Sequence, residues 1–251
     1  MAEAVSDEAL GSALGLYASM VALVLRSPEH WLGLDDDPPP SAPWPVKALD
    51  AARDRVFGEV TPASPRWTEL PEQQRVDWWV RRIGVSAGLA AAAPRLAGAL
   101  ADRIPLVAAL GASASGLAVC ATAREHGRSD PAEWVPLLAK VLFDRTLPPA
   151  SAQVADDQRA EEALAAKPAD EDEATPSRLD TLGRGAMAAA RTLWRLSRAF
   201  LGIDDLLDER PRGNFFVRGL GKLPVVGLPA GFLDERGGIR KAARKTAQLL
   251  G

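Results

Sequence analysis

The sequence predicts an all-α protein, and its composition is the first reason. Ala occurs 46 times among the 251 residues, whereas Ile occurs 4 times and Tyr once. Ala is the best helix former, and the β-branched and aromatic residues that favour strands are scarce. The second reason is that apolar residues recur at steps of three and four over long segments. We therefore expect a helical bundle in which Cys120, the single cysteine, is a small core residue.

Charge divides the chain into three predicted regions. Residues 1–150 carry a net charge of −4 and form an N-terminal helical region. Residues 151–178 carry −5 and contain no aromatic residue, which predicts an acidic linker that is either disordered or a solvated helix, and not part of the core. Residues 179–251 carry +6 and form a basic C-terminal helical segment that packs on the first region.

The N-terminal region begins with an uncharged stretch over 9–25, which is preceded by acidic residues. A secretion signal would have a basic flank, so we expect a buried helix there. Residues 34–45 contain five prolines and three aspartates and predict a surface loop. A helix over 46–60 follows, and another begins near Pro71 and is kinked or broken at Pro94.

The stretch 104–123 contains 20 residues without a charge. Its length suits a membrane span, but it is only weakly apolar, so burial in protein and burial in lipid both stay open. Residues 125–130 predict a turn, with Gly127 at the end of one helix and Asp130 as the N-cap of the next. Pro131 then occupies the first position of a helix over 131–147.

After the acidic linker, the sequence predicts an amphipathic basic helix and then a stretch marked by Gly and Pro. A last short basic helix is expected over 239–250. Small residues four apart also predict close approach between helix backbones. These pairs are Gly11 and Gly15, Gly84 and Gly88, Ala112 and Gly116, and Gly227 and Gly231.

One motif suggests metal chemistry. Asp204, Asp205 and Asp208 have a spacing that places three carboxylates on one helical face, where they could hold magnesium and a diphosphate. The motif resembles the first aspartate-rich motif of isoprenyl diphosphate synthases over about ten residues, but no second such motif follows. The alternative is the solvated end of a helix. His30, His126 and Cys120 form no zinc signature, and no phosphate loop occurs, so we expect no cofactor.

A second resemblance covers more of the chain. The Gly/Ala-rich segment IGVSAGLAAAAPRLAGALADRIPLVAALGASASG, the Asp130–Pro131 turn, VLFDR and KLPVVGLPAG together resemble the EcsC family over roughly 80–150 and 180–250. The resemblance implies an α-helical, membrane-associated bacterial protein. The family is named for a companion of an ABC-transporter operon linked to secretion. It supplies no catalytic residues to transfer.

These observations favour a non-enzymatic cytoplasmic protein that associates peripherally or shallowly with the inner face of the cell membrane. Aromatic and basic side chains together suit a bilayer interface, and basic side chains attract anionic lipid. The predicted partner is an anionic membrane surface or a membrane protein. The candidate membrane-contact residues are Trp78, Trp79, Arg81, Arg82, Arg240, Lys241, Arg244 and Lys245.

Several alternatives stay open at this point. Trp78 and Trp79 could fill the core, and the last helix could dock on the bundle through Leu249 and Leu250. The protein could instead be a magnesium-dependent enzyme that uses the aspartate motif, or a soluble adaptor that binds another protein. Self-association into a homo-oligomer is also open. The net charge of −3 and the lack of a recognition motif disfavour specific nucleic-acid binding.

Overall fold

The chain folds into helices throughout the part that the structure, a computed structural model, describes: residues 6–32, 60–96, 104–148, 151–166, 184–201 and 228–251. This part is 81% helical, with eight α-helices and no strand, so the all-α prediction is confirmed. A short 3-10 helix, Pro65–Glu69, precedes α3. The helices are α1 (Asp7–Arg26), α2 (Pro28–Leu32), α3 (Glu72–Leu96), α4 (Ile104–Glu125), α5 (Pro131–Phe143), α6 (Asp157–Ala165), α7 (Arg184–Leu201) and α8 (Leu228–Leu250).

Helix α1 contains the predicted first helix and extends it slightly at both ends. The hydroxyl of Ser6 accepts a hydrogen bond from the amide of Ala9 at 3.1 Å, which caps the N-terminus. Acidic residues lie in its first turn and Arg26 in its last, as the helix dipole favours. The helix packs mainly on α5, α6 and α7, and most of its residues are buried.

Helix α4 lies at the centre of the molecule. It contacts α3, α5, α7 and α8, and residues 109–123 are buried except for half-buried Gly111. Small residues allow this close packing: a Cβ added to Gly116 would lie 2.8 Å from the Tyr17 ring. The sequence left open whether the uncharged stretch is buried in protein or in lipid. Residues 109–123 of this stretch are buried in protein.

The turn between α4 and α5 confirms the sequence prediction. Gly127 has φ of +79°, a left-handed conformation that glycine adopts without a steric penalty. The carboxylate of Asp130 accepts a hydrogen bond from the amide of Ala132 at 2.9 Å, and Pro131 begins α5. The helix ends at Phe143, four residues before the predicted end.

The described part of the predicted acidic linker is residues 151–166, which we call the strap. Most of its side chains are exposed, as a solvated helix would have them, but it is not wholly outside the core. The strap runs across α1 and ends in α6, where Ala160 and Leu164 are fully buried. A Cβ added to Gly11 or Gly15 would lie 2.1 Å or 1.7 Å from a strap carbonyl oxygen. The glycine pair thus admits an irregular backbone segment rather than a second helix. Residues 167–178 lie outside the described residues.

Helices α7 and α8 complete the bundle. Helix α7 packs on α3, α4 and α2, and α8 packs on α4, α3 and α5. Helix α8 begins at Leu228, eleven residues before the predicted start at Ile239. Pro229 does not prevent this earlier start, because it occupies the first turn, where proline is tolerated. Helix α3 ends at Leu96, two residues after the predicted break at Pro94. The predicted loop over 34–45 and residues 46–59 of the predicted helix over 46–60 lie outside the described residues, and Val60 is not helical.

Candidate functional site

The C-terminal half of α8 presents two different faces. One face is buried on the bundle through Ile239, Ala242, Ala243 and Thr246. Of the two residues through which the sequence predicted docking, Leu250 is partly buried and packs against the core, whereas 47% of the Leu249 side chain is exposed. Apart from Ile239, the side chains of the docked face are small.

The other face of this half is cationic. Arg240, Lys241 and Arg244 are exposed, and we call these three residues the basic face. Residues 237–251 contain no Asp or Glu, so no charge within this segment offsets them. The basic face forms no ion pair with a carboxylate of the described residues.

Lys245, the fourth basic candidate of this helix, has a different role. Its Nζ donates to the carbonyl oxygen of Lys140 at 2.9 Å and lies 3.6 Å from Oδ1 of Asp144. The hydrogen bond and charge of Lys140, together with the charge of Lys245, lower the pKa of Asp144. Lys245 thus ties α8 to the end of α5 and contributes less free charge.

Acidic side chains collect on a different helix. Asp156, Asp157, Glu161 and Glu162 are all exposed on α6 and its N-cap. Arg26 neutralises Asp157 through two hydrogen bonds of 2.7 and 2.9 Å, and this pairing lowers the pKa of Asp157. Helix α6 packs on α1 and α7, whereas α8 packs on α3, α4 and α5. The acidic and basic helices therefore have different neighbours in the bundle.

The structure places the predicted aromatic and basic cluster of α3 largely inside the protein. The side chains of Trp78, Trp79 and Arg82 are 3%, 1% and 4% exposed, and only Arg81 of this group is exposed. The rings of Trp78 and Trp79 pack edge to face with centroids 5.0 Å apart, and Trp67 packs against both. In this fold, the membrane-contact prediction for Trp78, Trp79 and Arg82 is wrong because none of the three reaches the surface.

An ion-pair cluster that the sequence did not predict joins α3 to the end of α4. Glu125 accepts hydrogen bonds from Nε of Arg75 at 2.6 Å and from Nε1 of Trp79 at 2.9 Å. Arg75 also donates to the carbonyl oxygen of Leu70 at 2.7 Å. These groups satisfy one another, so the cluster fixes two helices together. No local spacing could have revealed it, since Arg75 and Glu125 are 50 residues apart.

His126 lies beside this cluster. Its Nδ1 is 2.9 Å from the carbonyl oxygen of Thr122, and its Nε2 is 3.3 Å from Oε1 of Glu72. The histidine thus bridges the end of α4 and the start of α3. It is one member of a local polar network, and the contacts assign it a structural role.

Within the described residues, no group of three His, Cys, Asp or Glu side chains is placed to hold a metal ion. Burial raises the pKa of the Cys120 thiol and also that of Tyr17, whose hydroxyl donates to the carbonyl oxygen of Ser113. Asp204, Asp205 and Asp208 lie outside the described residues.

One helix of the described residues, α1, is long and apolar enough to cross a membrane by length and composition. Its most apolar window of 18 residues is 67% buried within the protein. Core helices of water-soluble proteins pass the same test, so this property alone does not identify a membrane span.

No protein-family model matches the sequence, and no curated protein or solved structure matches the chain.

Proposed function

We propose that this protein is a non-enzymatic helical bundle of the EcsC type that binds peripherally to the anionic inner face of a bacterial membrane. In this proposal it serves a membrane transport or envelope process as an accessory. The basic face of α8 carries the proposal: three exposed cations lie together on a helix whose apolar side is already docked. Such a surface suits anionic headgroups because it binds by charge and needs no insertion of α8.

The magnitude of the expected attraction supports a reversible contact. Each basic residue near an anionic membrane contributes about 1 kcal/mol, so the basic face contributes about 3 kcal/mol in total. Because the attraction is electrostatic, salt within the physiological range weakens it.

The packing of the apolar helices favours peripheral over integral association. Residues 109–123 of α4 are buried by other helices, and α1 buries most of its apolar window in the same way. Exposing these surfaces to lipid would require the bundle to open. Helix α6, which carries the exposed acidic residues, packs on other helices than α8 does. Because an anionic membrane repels these acidic charges, they favour an orientation with α8 toward the membrane.

Vesicle co-sedimentation tests this proposal. The intact protein is incubated with neutral phosphatidylcholine vesicles and with vesicles that contain phosphatidylglycerol, each at low and high salt. The test variant is R240Q/K241Q/R244Q. The control variant, R66Q/R128Q/R159Q, removes the same number of exposed arginine or lysine charges from the 3-10 helix, the α4–α5 turn and α6.

We expect binding that prefers the anionic vesicles and falls at least fivefold at high salt. The R240Q/K241Q/R244Q variant should lose most of this binding, while the control variant should retain it. Equal binding by both variants would show that net charge, rather than the basic face, is responsible. No binding by the intact protein would overturn the proposal.

A further inference from the structure

Two lysines share one carboxylate where the end of α5 meets α8. Nζ of Lys140 is 3.0 Å from Oδ1 of Asp144, and Nζ of Lys245 is 3.6 Å from the same oxygen. Among the described residues, no other carboxylate lies within ion-pair distance of either lysine. The side chains of Asp144, Lys140 and Lys245 are 65%, 40% and 36% exposed, so an external ligand can reach all three.

Asp144 occupies this position against two local preferences. Its φ is +53°, a left-handed conformation that glycine adopts most readily at the end of a helix. Its negative charge also lies at the C-terminus of α5, where the helix dipole favours cations. The hydrogen bond and charge of Lys140, with the charge of Lys245, lower the pKa of Asp144, so the carboxylate is ionised at neutral pH. The turn itself does not require a carboxylate, so its role lies in the contact with the two lysines.

The same cluster continues the basic face. Lys241 is exposed and precedes Lys245 by four residues in α8, which places the two side chains one turn apart on the same side of the helix. A phosphate group carries a negative charge and accepts hydrogen bonds from ammonium groups, as the carboxylate of Asp144 does. A phosphate that approaches the basic face therefore meets two further lysines whose place for an anion is taken by Asp144.

We propose that Lys140 and Lys245 form a binding site for the phosphate of an anionic lipid headgroup, and that Asp144 occupies this site until a headgroup displaces it. This inference rests on the proposed function, which it extends from the basic face to the end of α5. Away from a membrane, Asp144 keeps both lysines paired. On a membrane, its displacement adds their contacts to those of the basic face, so Asp144 limits how tightly the protein binds.

Vesicle co-sedimentation of Asp144→Asn tests the displacement. Asparagine tolerates the left-handed conformation, so this variant keeps the turn and removes the charge. We expect D144N to bind phosphatidylglycerol vesicles about three- to fivefold more tightly than the intact protein does, which is the effect of roughly one basic charge near an anionic membrane.

D157N is the matched control. It removes the same charge from an aspartate that is 64% exposed and paired with Arg26, on a helix that packs on other helices than α8 does. Charges farther from the membrane than the screening length contribute little, so its affinity should change by less than about twofold. An equal gain in D144N and D157N would show that net charge is responsible and would overturn the proposal.

Removal of the lysines separates displacement from simple repulsion between Asp144 and the membrane. In a K140Q/K245Q background, D144N has no lysine to release, so its gain should fall to less than about half of the gain in the intact protein. Circular dichroism and chemical denaturation verify that each variant is folded. An equal gain with and without the two lysines would overturn the site.

Inorganic phosphate is the probe for a free anion. At constant ionic strength, millimolar phosphate should leave the sedimentation of D144N within about twofold of that in chloride, because the basic face holds the protein on many headgroups at once. Displacement by phosphate but not by chloride would assign the site to free phosphate and overturn the lipid assignment.

The outcomes separate the two proposals. If the intact protein sediments through the basic face and D144N does not bind more tightly, this inference fails and the proposed function stands. If neither the intact protein nor D144N sediments, the proposed function fails, and this inference fails with it.

Discussion

At Gly15, one methyl group decides whether the strap can lie on α1. A Cβ at this position would lie 1.7 Å from the carbonyl oxygen of Gln153, well inside van der Waals contact. We expect Gly15→Ala to lower the free energy of unfolding by about 1–3 kcal/mol, because the strap must shift. The gain in helix propensity, roughly 1 kcal/mol, opposes this loss. Chemical denaturation followed by circular dichroism measures the net change.

Gly111→Ala is the matched control, because it has the same helical context and open space around the added methyl group. It should raise the free energy of unfolding by up to about 1 kcal/mol. A stabilising effect at both positions would show that the strap does not rest on Gly15.

Glu125 is the acceptor that holds Arg75 and Trp79 together. Its carboxylate is mostly buried and receives both side-chain hydrogen bonds. Glu125→Ala leaves both donors without this acceptor, so we expect a loss of about 2–4 kcal/mol in the free energy of unfolding. Glu125→Gln retains an acceptor oxygen and should cost less. Urea denaturation checks this order, and an equal cost for both variants would contradict it.

At the scale of elements, the strap contributes two side chains, Ala160 and Leu164, to the core. Leu164 is fully buried on α6, whereas Val154 is 42% exposed in the same strap. We expect Leu164→Ala to lower the free energy of unfolding by about 2–4 kcal/mol, the usual cost of a buried leucine. Val154→Ala should cost less than about 1 kcal/mol. Thermal and chemical denaturation of both variants provide the comparison. An unchanged free energy of unfolding in Leu164→Ala would support the alternative that this segment is a solvated linker.

The elements that sequence reasoning placed correctly are those with local signals. Gly127, Asp130 and Pro131 fix the end of α4 and the start of α5 within a few residues, and the structure has both. Capping and turn chemistry acts between neighbours in the chain, so it can be recognised from spacing alone.

The elements that sequence reasoning misplaced depend on tertiary contacts. Only Ala160 and Leu164 are buried in α6, and two apolar residues in a strongly charged stretch do not predict a core helix. Proline usually disrupts a helix, so the sequence did not predict a helix through Pro229, but Pro229 lies in the first turn of α8. Trp78 and Trp79 stand beside arginines in the sequence, yet the ring of Trp67 and the carboxylate of Glu125 hold them inside. None of these partners could be identified from local sequence.

At the scale of the whole molecule, helices rather than lipid surround α4. Small residues along α4 let α3, α5, α7 and α8 approach it. Exposed acidic residues lie on α6, and exposed basic residues lie on α8 and also on α7, at Arg191 and Arg198. Helix α1 and residues 109–123 of α4 bury most of their side chains within the protein, and charged side chains remain on its surface.

Cys120 tests this arrangement because it is fully buried in the C-terminal part of α4. Burial raises the pKa of its thiol in the folded state, so the folded protein holds this proton more tightly than the unfolded chain does. The resulting contribution to stability is complete below the unfolded-state pKa of about 8.5 and is lost as pH rises above it. We therefore expect the free energy of unfolding to fall progressively above about pH 8.5.

The same thiol should react only through unfolding. In the absence of lipid and detergent, at pH 8, labelling of Cys120 by a thiol reagent should be at least about a thousandfold slower than in denaturant, because a folded domain opens rarely. The variant V154C/C120A has its thiol at an exposed position and should react at nearly the unfolded rate. If α4 instead needed lipid to cover it, Cys120 would label rapidly without vesicles and become protected when they are added. If the core of the bundle is buried without lipid, Cys120 should be labelled slowly, and at the same rate with and without vesicles.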